Sequence, residues 1–470
     1  MKHGKLIISI VIPILILLIP TEFIPIKDLS IVEHRVIAIF ALATLFWVLE
    51  PIPIFATSML IITLELLMIS TNSLSFLRST PDAEGFGILI NYKAIMGTLA
   101  SPIIVLFLGG FFLAMAATKY RLDVNLARVL LKPFGTNPRF VLMGLMIVTA
   151  LFSMFMSNTA TTAMMLAILA PVLALFSKDD PAKVAFLLGI PFAANIGGIG
   201  TPIGTPPNAV AMKYLVGDAA ISFSSWMSFA LPYAIVMLVI VWFLLLFLFK
   251  PKSERIELKI KSKFMRSPKA ITVYITFAGT ILLWILSDLH GLKSYVVAMI
   301  PVSVFLVSGI LNAEDIKRLS WDVLWLIAGG IALGMAMEKT GLSAHLIESI
   351  PFAQFDPLFI IFIATTIAAL MATFMSNTAT ANLVLPVMAA LGANLDSLTA
   401  LGGSKMLIVA VTISCSIAMS LPVSTPPNAM AYASGQIKSN QMMRSGIIIG
   451  LIAMAFLYVL LTILKMVNFL

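Results

Sequence analysis

Long apolar segments separated by short polar loops cover most of this chain. Eleven of them reach the length of a membrane-spanning helix, which is about 17 to 25 residues. They lie at residues 6–26, 34–50, 52–72, 98–118, 184–216, 226–249, 269–289, 294–312, 320–337, 403–434 and 443–467. This pattern predicts an all-α polytopic membrane protein with about 11 transmembrane helices.

Two further apolar segments, 138–177 and 355–395, are too long for a single span. Each contains Ser-Asn-Thr near its middle, beginning at Ser157 in the first segment and at Ser376 in the second. A chain that enters the membrane, turns at Ser-Asn-Thr and leaves on the same side would account for this length. Such a turn is tolerated only where protein or a watery cavity satisfies the backbone. The sequence therefore predicts two re-entrant hairpins.

The polar interruptions of the apolar pattern occur in pairs that are 219 or 220 residues apart. The repeated pairs are Ser-Asn-Thr-Ala-Thr at 157–161 and 376–380, Thr-Pro-Pro-Asn-Ala at 205–209 and 425–429, Gly109-Gly110 and Gly329-Gly330, and Lys119 and Lys339. The Gly- and Pro-rich stretches also interrupt the segments 184–216 and 403–434, which are predicted to be broken helices. Paired interruptions of this kind point to a transport site at the interface of two repeats.

Basic residues outnumber acidic ones in the loop 250–268, which places it on the cytoplasmic side. Segment 119–139 then falls on the same side. Lys339 falls outside, because five spans separate it from Lys119. The two repeats are therefore predicted to be inverted, with 34–249 as the first and 269–470 as the second, after an N-terminal span within 1–33. The N-terminus is expected in the cytoplasm, the C-terminus outside, and the protein in the cell (inner) membrane.

Segments 119–133 and 338–350 each follow a Gly-Gly span and combine charged residues with leucines at helical spacing. We interpret both as short helices that lie in the membrane interface and join moving to fixed parts. An amphipathic loop helix without a mechanical role explains the pattern equally well.

Composition supports the membrane assignment. The chain is 60% hydrophobic and 11% charged, and its mean hydropathy is +1.06. The net charge of +9 comes from bases in short loops, which indicates topology and does not indicate a nucleic-acid partner. Cys415 is the single cysteine, so no disulfide framework exists, and the four histidines are too scattered for a metal cluster.

The Ser-Asn-Thr turns carry the candidate chemistry. A turn of this kind places amide and hydroxyl groups beside the free N–H groups of the following helix, where an anion is favoured. Serine, asparagine and backbone oxygens at the preceding helix end suit a small alkali cation. The alternative is polar contact between helices, which one copy alone would not exclude. A catalytic Ser157 or Ser376 would need a base, and neither hairpin contains histidine, so no enzyme is predicted.

With these motifs in place, the chain resembles the divalent anion:sodium symporter (DASS) family of di- and tricarboxylate transporters. The resemblance extends over residues 34–467 and includes Leu49-Glu50-Pro51-Ile52-Pro53. It implies a homodimer in the lipid bilayer, with scaffold and elevator-type transport domains in each protomer. The implied substrate contacts are Asn158, Thr159, Thr205, Asn377, Thr378 and Pro426. The implied sodium ligands are Ser153, Ser157, Asn158 and the Gly204 carbonyl at one site, and Ser376, Asn377 and the Ser424 carbonyl at the other.

The second cation site departs from the family pattern. Ala372 occupies the position that matches Ser153, and Thr373 is the neighbouring residue that could supply the missing hydroxyl. Glu50 is interpreted as a capping or interfacial carboxylate and not as a substrate ligand. We expect a secondary transporter of a small dicarboxylate (succinate, malate, fumarate or 2-oxoglutarate) coupled to sodium. Sodium-independent exchange is the alternative, a sulfate or citrate carrier is less favoured, and a channel is a further possibility.

Overall fold

The computed structural model describes residues 2–78, 85–177, 179–256, 260, 262–349, 354–467 and 469. The α-helices are α1 (Lys2–Leu18), α2 (Ile31–Leu49), α3 (Ile54–Met68), α4 (Tyr92–Gly97), α5 (Pro102–Lys119), α6 (Leu122–Leu131), α7 (Pro138–Ser153), α8 (Asn158–Leu173), α9 (Ala182–Ile199), α10 (Pro206–Met212), α11 (Phe223–Leu248), α12 (Pro268–Ile285), α13 (Ser287–His290), α14 (Ser294–Val297), α15 (Met299–Val307), α16 (Ala313–Lys317), α17 (Trp321–Thr340), α18 (Leu342–Glu348), α19 (Pro357–Phe374), α20 (Asn377–Asn394), α21 (Gly403–Ser416), α22 (Pro426–Ala433) and α23 (Ser439–Met466).

The predicted all-α polytopic architecture is confirmed. Within the described residues, the one β interaction is an isolated bridge between Ser70 and Ile90. Eight helical segments in these ranges are long and apolar enough to cross a membrane, and six shorter apolar helices accompany them. The predicted count of about 11 spans stays a prediction, because several candidate spans are broken into shorter helices.

The chain turns or unwinds at the paired motifs. Helices α7 and α8 are separated at residues 154–157, and α19 and α20 at 375–376. Ser157 and Ser376 are the N-cap residues of α8 and α20, and their hydroxyls accept from the backbone N–H of Ala160 and Ala379 at 3.2 and 3.1 Å. The predicted broken helices 184–216 and 403–434 are interrupted at 200–205 and 417–425. Each interruption leaves backbone polar groups inside the protein.

Several predicted boundaries differ from the structure, for reasons that lie in the backbone. The helix predicted at 338–350 is only Leu342–Glu348, since α17 continues to Thr340 and Gly341 then adopts a left-handed φ of 92°. Residue 350 lies outside the described residues. The helix predicted at 119–133 is Leu122–Leu131, because α5 continues to Lys119 and Arg121 has a φ of 55°.

Two other predicted segments also change. The span predicted at 98–118 starts earlier, at Tyr92, and runs to Lys119. The span predicted at 294–312 is divided at Ala298 and ends at Val307. In the basic loop predicted at 250–268, residues 257–259 and 261 lie outside the described residues.

Helices α9 and α21 form the centre of the molecule. Every residue of α9 from Val184 to Ile199 is buried, and so is every residue of α21 from Met406 to Ser416. Helix α8 packs against α22, and α10 packs against α20, so that elements of the two repeats alternate around this centre. The arrangement brings both Ser-Asn-Thr helices against both broken helices.

In the predicted inverted topology, polar contacts near the helix ends fall into two groups. One group includes Lys119 with Asp315 at 2.5 Å and Asn125 with the carbonyl of Lys263 at 3.1 Å. The other includes His345 with Glu33 at 2.8 Å and Ser222 with Asp288 at 3.2 Å. The inverted-repeat prediction assigns the first group to the cytoplasmic side and the second to the outside.

Cysteine labelling tests this assignment. Arg266 and Lys339 are exposed, and replacing the buried Cys415 with alanine supplies a background without cysteine. In that background, Arg266→Cys should react with an impermeant maleimide only from the cytoplasmic side, and Lys339→Cys only from outside. Reaction of both variants from the same side would contradict the inverted topology.

Candidate functional site

An asparagine side chain satisfies the backbone at each interruption. The amide nitrogen of Asn208 donates to the carbonyls of Gly198, Ile199 and Thr201 at 3.2, 3.2 and 2.8 Å. In the second repeat, Asn428 donates to the carbonyls of Met419 and Leu421 at 2.8 and 3.1 Å. Each carbonyl left without a hydrogen bond in a membrane interior costs roughly several kcal/mol of free energy. Both asparagines are fully buried, and they hold the unwound segments in place.

The first candidate cation site surrounds Asn158. Its carboxamide nitrogen reaches the carbonyl of Gly204 at 3.0 Å, the hydroxyl of Ser153 at 2.5 Å and the carbonyl of Ala194 at 3.3 Å. The Ser153 hydroxyl in turn donates to the Ala194 carbonyl at 2.8 Å. The predicted ligands Ser153, Asn158 and Gly204 therefore lie together, with the Ala194 carbonyl as an additional oxygen that the sequence did not indicate.

Two glycines make this close approach possible. A Cβ atom on Gly198 would lie 2.7 Å from the Asn158 side chain and 2.9 Å from the Gly204 carbonyl. A Cβ atom on Gly204 would lie 2.4 Å from the Gly198 carbonyl. The unwound segment can therefore lie against the Ser-Asn-Thr turn only with glycine at both positions.

The second candidate cation site has a different set of neighbours. The carboxamide oxygen of Asn377 is buried and has no hydrogen-bond partner among the described residues. Ser424 donates its hydroxyl to the Thr373 carbonyl at 2.7 Å, whereas the Thr373 hydroxyl donates to the Ala369 carbonyl of its own helix at 2.8 Å. Ala372 is fully buried and supplies no oxygen from its side chain. The hydroxyl proton of Thr373 is thus engaged within α19.

The predicted substrate residues line the starts of four helices. Asn158 and Thr159 begin α8, while Asn377 and Thr378 begin α20; of these, Thr159 is exposed and Thr378 is buried. Thr205 precedes α10 and is 3% exposed, and its side chain makes no capping hydrogen bond. Pro426 begins α22 and is exposed. Glu50 is the exposed C-cap residue of α2.

Asn195 connects the two repeats and was not indicated by the sequence patterns. Its amide nitrogen donates to the hydroxyl of Thr425 at 3.1 Å and to the carboxamide oxygen of Asn428 at 3.3 Å. The residue 220 positions later is Cys415, which carries no amide. A comparison of the two repeats in the sequence could have revealed Asn195 as a polar residue whose counterpart, Cys415, has no amide.

The site relies on dipoles and neutral oxygens. The sequence has no charged residue between Phe140 and Ser177 or between Pro357 and Leu395. Among the residues that the structure describes, there is no group of three or more His, Cys, Asp or Glu side chains that could hold a metal ion. Hydroxyl, amide and carbonyl oxygens are hard ligands, which suit an alkali cation better than a transition metal. The helix N-termini provide partial positive charge for an anion.

Comparison with known proteins identifies the family. The model of the sodium:sulfate symporter transmembrane region matches residues 1–469. The chain belongs to this family. The predicted resemblance to divalent anion:sodium symporters is thereby confirmed, and so is the prediction of a multi-pass membrane transporter instead of an enzyme.

The chain is also similar to individual transporters and to one solved structure. The sodium-dependent dicarboxylate transporter SdcS of Staphylococcus saprophyticus is 31% identical over 96% of this chain and 89% of its own length. The inorganic phosphate transporter PHO87 of Saccharomyces cerevisiae is 30% identical over 88% of this chain, which spans only 44% of that protein. The Alcanivorax borkumensis YdaH transporter has a similar fold, with a TM-score of 0.55 at 14% identity over 88% of this chain and 98% of that chain.

The tight packing at Gly198 predicts a selective effect on stability. Gly198→Ala should destabilise the purified protein by about 1–3 kcal/mol, because overpacking displaces the Asn158 side chain or the unwound segment. Gly110→Ala is the matched control, since Gly110 is also buried in a helix and a Cβ atom there would meet nothing closer than 3.8 Å. Thermal unfolding in detergent measures both variants. Equal melting temperatures would contradict the proposed close approach.

Proposed function

We propose that this protein is a secondary active transporter that carries a small dicarboxylate, of the succinate, malate, fumarate or 2-oxoglutarate class, together with sodium. The observation that carries the proposal is the convergence of the Ser153, Ala194 and Gly204 oxygens on the carboxamide of Asn158, beside the N-terminus of α8. A cation site and an anion site therefore share one side chain. The similarity to a sodium-dependent dicarboxylate transporter over nearly the whole chain supports the same substrate class.

The anion would bind between the two Ser-Asn-Thr turns. Asn158 and Thr159 offer donors at the start of α8, and Asn377 and Thr378 offer donors at the start of α20. Each turn would hold one carboxylate, while Thr205 and Pro426 would border the substrate from the broken helices. A dicarboxylate suits this arrangement because it presents one negative group to each helix N-terminus.

The first sodium ion would bind at Ser153, Ser157, Asn158 and the Gly204 carbonyl. Rotation of the Asn158 carboxamide by about 180° exchanges its nitrogen for its oxygen, which such amides do with little change in shape. The oxygen would then join the three neighbouring oxygens around the ion. Sodium binding would thus fix the orientation of a side chain that also contacts the substrate, and this shared residue would couple the two ligands.

The second sodium ion would use Ser376, Asn377 and the Ser424 carbonyl. The unpaired carboxamide oxygen of Asn377 supports a cation there. Ala372 removes one oxygen relative to the first site. Thr373 would have to offer the lone pairs of its hydroxyl to the ion while that hydroxyl still donates its hydrogen bond to the Ala369 carbonyl. The second site would accordingly be the weaker of the two.

The same proposal includes the molecular architecture. The hairpins 138–177 and 355–395 and the broken helices would form a transport domain that moves against the remaining scaffold helices in a homodimer. The repeats 34–249 and 269–470 would be inverted, with the N-terminus in the cytoplasm and the C-terminus outside. Contacts between helix ends, such as Lys119–Asp315 and Glu33–His345, would anchor the ends of α5 and α2 during this movement.

Sodium-independent dicarboxylate exchange is the second candidate, because Ala372 weakens one cation site. Sulfate and phosphate are further substrate candidates, from the family description and from the yeast relative. Uptake of labelled succinate, sulfate and phosphate into proteoliposomes with external sodium, potassium or lithium distinguishes these possibilities. Symport predicts succinate uptake that requires sodium. Uptake indifferent to sodium but driven by internal dicarboxylate would instead establish exchange.

Removing either asparagine should abolish this uptake. A hydrogen bond to a charged group is worth about 1.5–3 kcal/mol, so Asn158→Ala or Asn377→Ala should weaken succinate binding roughly ten- to hundredfold. Asn394→Ala is the control, since Asn394 bonds only the Ala390 carbonyl at the end of α20. Near-normal succinate transport by either of the first two variants would remove the basis for the anion site.

The two cation sites should respond differently to substitution. Ser153→Ala should lower the apparent sodium affinity of uptake more than Thr373→Ala, because Ser153 lies within the oxygen cluster of the first site. Ala372→Ser should raise the apparent affinity by adding an oxygen at the equivalent position of the second site. Sodium titrations of initial uptake rates measure all three. An unchanged sodium dependence in Ser153→Ala would contradict the assignment.

A further inference from the structure

Glu65 is an acidic residue inside an apolar helix, and nothing in the proposed sodium or dicarboxylate sites uses it. It lies on α3, is 0% exposed, and neither of its carboxyl oxygens has a hydrogen-bond partner among the described residues. Helix α3 packs against α17 and α2. An ionisable side chain inside a membrane protein is costly to retain and commonly marks an ion or proton pathway.

The ring of Phe55 lies beside that of Trp325, and a Cβ atom on Gly329 would meet Ser58, so α3 and α17 run parallel and Glu65 lies level with residues 333–337 of α17. Lys213 is a basic residue that reaches the same part of α17. It follows α10 directly, and its ammonium donates to the carbonyl of Ile331 on α17 at 2.7 Å. The same ammonium lies 4.9 Å from the ring centre of Tyr214, whose hydroxyl is buried and unpaired among the described residues. A Cβ atom on Gly334 would meet both of these side chains, so glycine leaves the space that they occupy.

The other charged groups on the neighbouring helices are engaged elsewhere or exposed. On α2, Arg35 donates to the carbonyls of Met68 and Leu77, and Glu33 contacts Ser30 and His345. His34, also on α2, contacts the carbonyl of Ile16. The charged residues of α17 and α4 are exposed, namely Asp322, Glu338, Lys339 and Lys93.

The hydrogen bonds indicate which form of Glu65 this arrangement fits. An ionised carboxylate in an apolar interior requires donors, and an ionised group without them is strongly disfavoured. Here the ammonium of Lys213 is directed at a backbone carbonyl, and both carboxyl oxygens lack a donor. The geometry therefore fits a neutral, protonated Glu65. Loss of that proton would draw the ammonium of Lys213 from Ile331 to the carboxylate.

We propose that Glu65 binds and releases one proton during each transport cycle, with Lys213 as its counter-ion when the proton is absent. The carboxylate would take up the proton from the water on one side of the membrane, and the acid would release it to the water on the opposite side. This inference rests on the proposed transport function, and it adds a proton to the coupling ions. The site has no copy in the second repeat, because the residue 220 positions after Lys213 is Ala433.

The proposed movement of domains gives the proton a role. Lys213 belongs to the broken helix that carries Thr205 and Asn208, whereas Glu65 belongs to a scaffold helix. Movement of the broken helix would carry the ammonium toward or away from the carboxyl group, so the free energy of proton binding would differ between the two end states. Different affinities in two states are what couple an ion to a conformational change.

Infrared spectroscopy tests the proton site without requiring any substrate. Wild-type protein near neutral pH should show a carboxylic acid C=O band that is absent from Glu65→Gln, and this band should disappear at alkaline pH. Glu338→Gln is the matched control, because it removes an exposed carboxylate near the end of α17 and should leave the band in place. Lys213→Met should move the disappearance of the band to higher pH. A wild-type spectrum without this band would overturn the proposal.

Proton movement in proteoliposomes tests the coupling. In wild type, succinate uptake should be accompanied by proton entry, and at fixed membrane potential each pH unit should change succinate accumulation by about tenfold for one coupled proton. Glu65→Gln should retain succinate counterflow but lose proton entry and this pH dependence, while Glu338→Gln retains all three. Proton entry that persists in Glu65→Gln would overturn the proposal. An absence of succinate counterflow in wild type would instead contradict the proposed substrate, while the infrared band still decides whether Glu65 is protonated.

Discussion

The structure depends on how polar backbone is satisfied where two central helices unwind inside the membrane. Water cannot pair with those carbonyls in a bilayer, so protein groups must do so. Asn208 and Asn428 perform this function with the same side chain, at the same place in each repeat. Once the breaks are stabilised in this way, carbonyls such as that of Gly204 are free to face the Ser-Asn-Thr turns. The candidate cation and anion sites, and the residue Asn158 that the two would share, follow from that constraint.

The sequence was sufficient for the fold class because its signals are local and occur twice. Apolar length predicted the helices, and Gly, Pro and Ser-Asn-Thr predicted where they break. Contacts that join distant residues could not be predicted in this way. Asn195 bonds Thr425 and Asn428 across more than 200 residues, and the Ala194 carbonyl joins the group of oxygens around Asn158 from a helix interior. The limits of α18 depended on the left-handed conformation of Gly341, which a leucine-rich pattern does not reveal.

The two repeats are alike in backbone and different in chemistry. The first contributes Ser153, Asn195 and Lys213, and the corresponding residues of the second are Ala372, Cys415 and Ala433. These three polar side chains thus occur only in the first repeat, while both repeats retain the turn and the break. A duplicated framework can keep its alternating-access symmetry with only one strong cation site. This asymmetry is the basis of the proposals that sodium and a proton bind at different places and that the second cation site is the weaker one.

The central claim is that sodium and a dicarboxylate bind next to each other through Asn158, and their mutual effect on affinity tests it most directly. Titration calorimetry of purified protein would measure succinate binding in sodium and in potassium, and sodium binding with and without succinate. Linkage requires each ligand to strengthen the other by the same factor. The account predicts tighter succinate binding in sodium, an equal reciprocal effect, and loss of both in Asn158→Ala. Equal succinate affinity in sodium and potassium would contradict it.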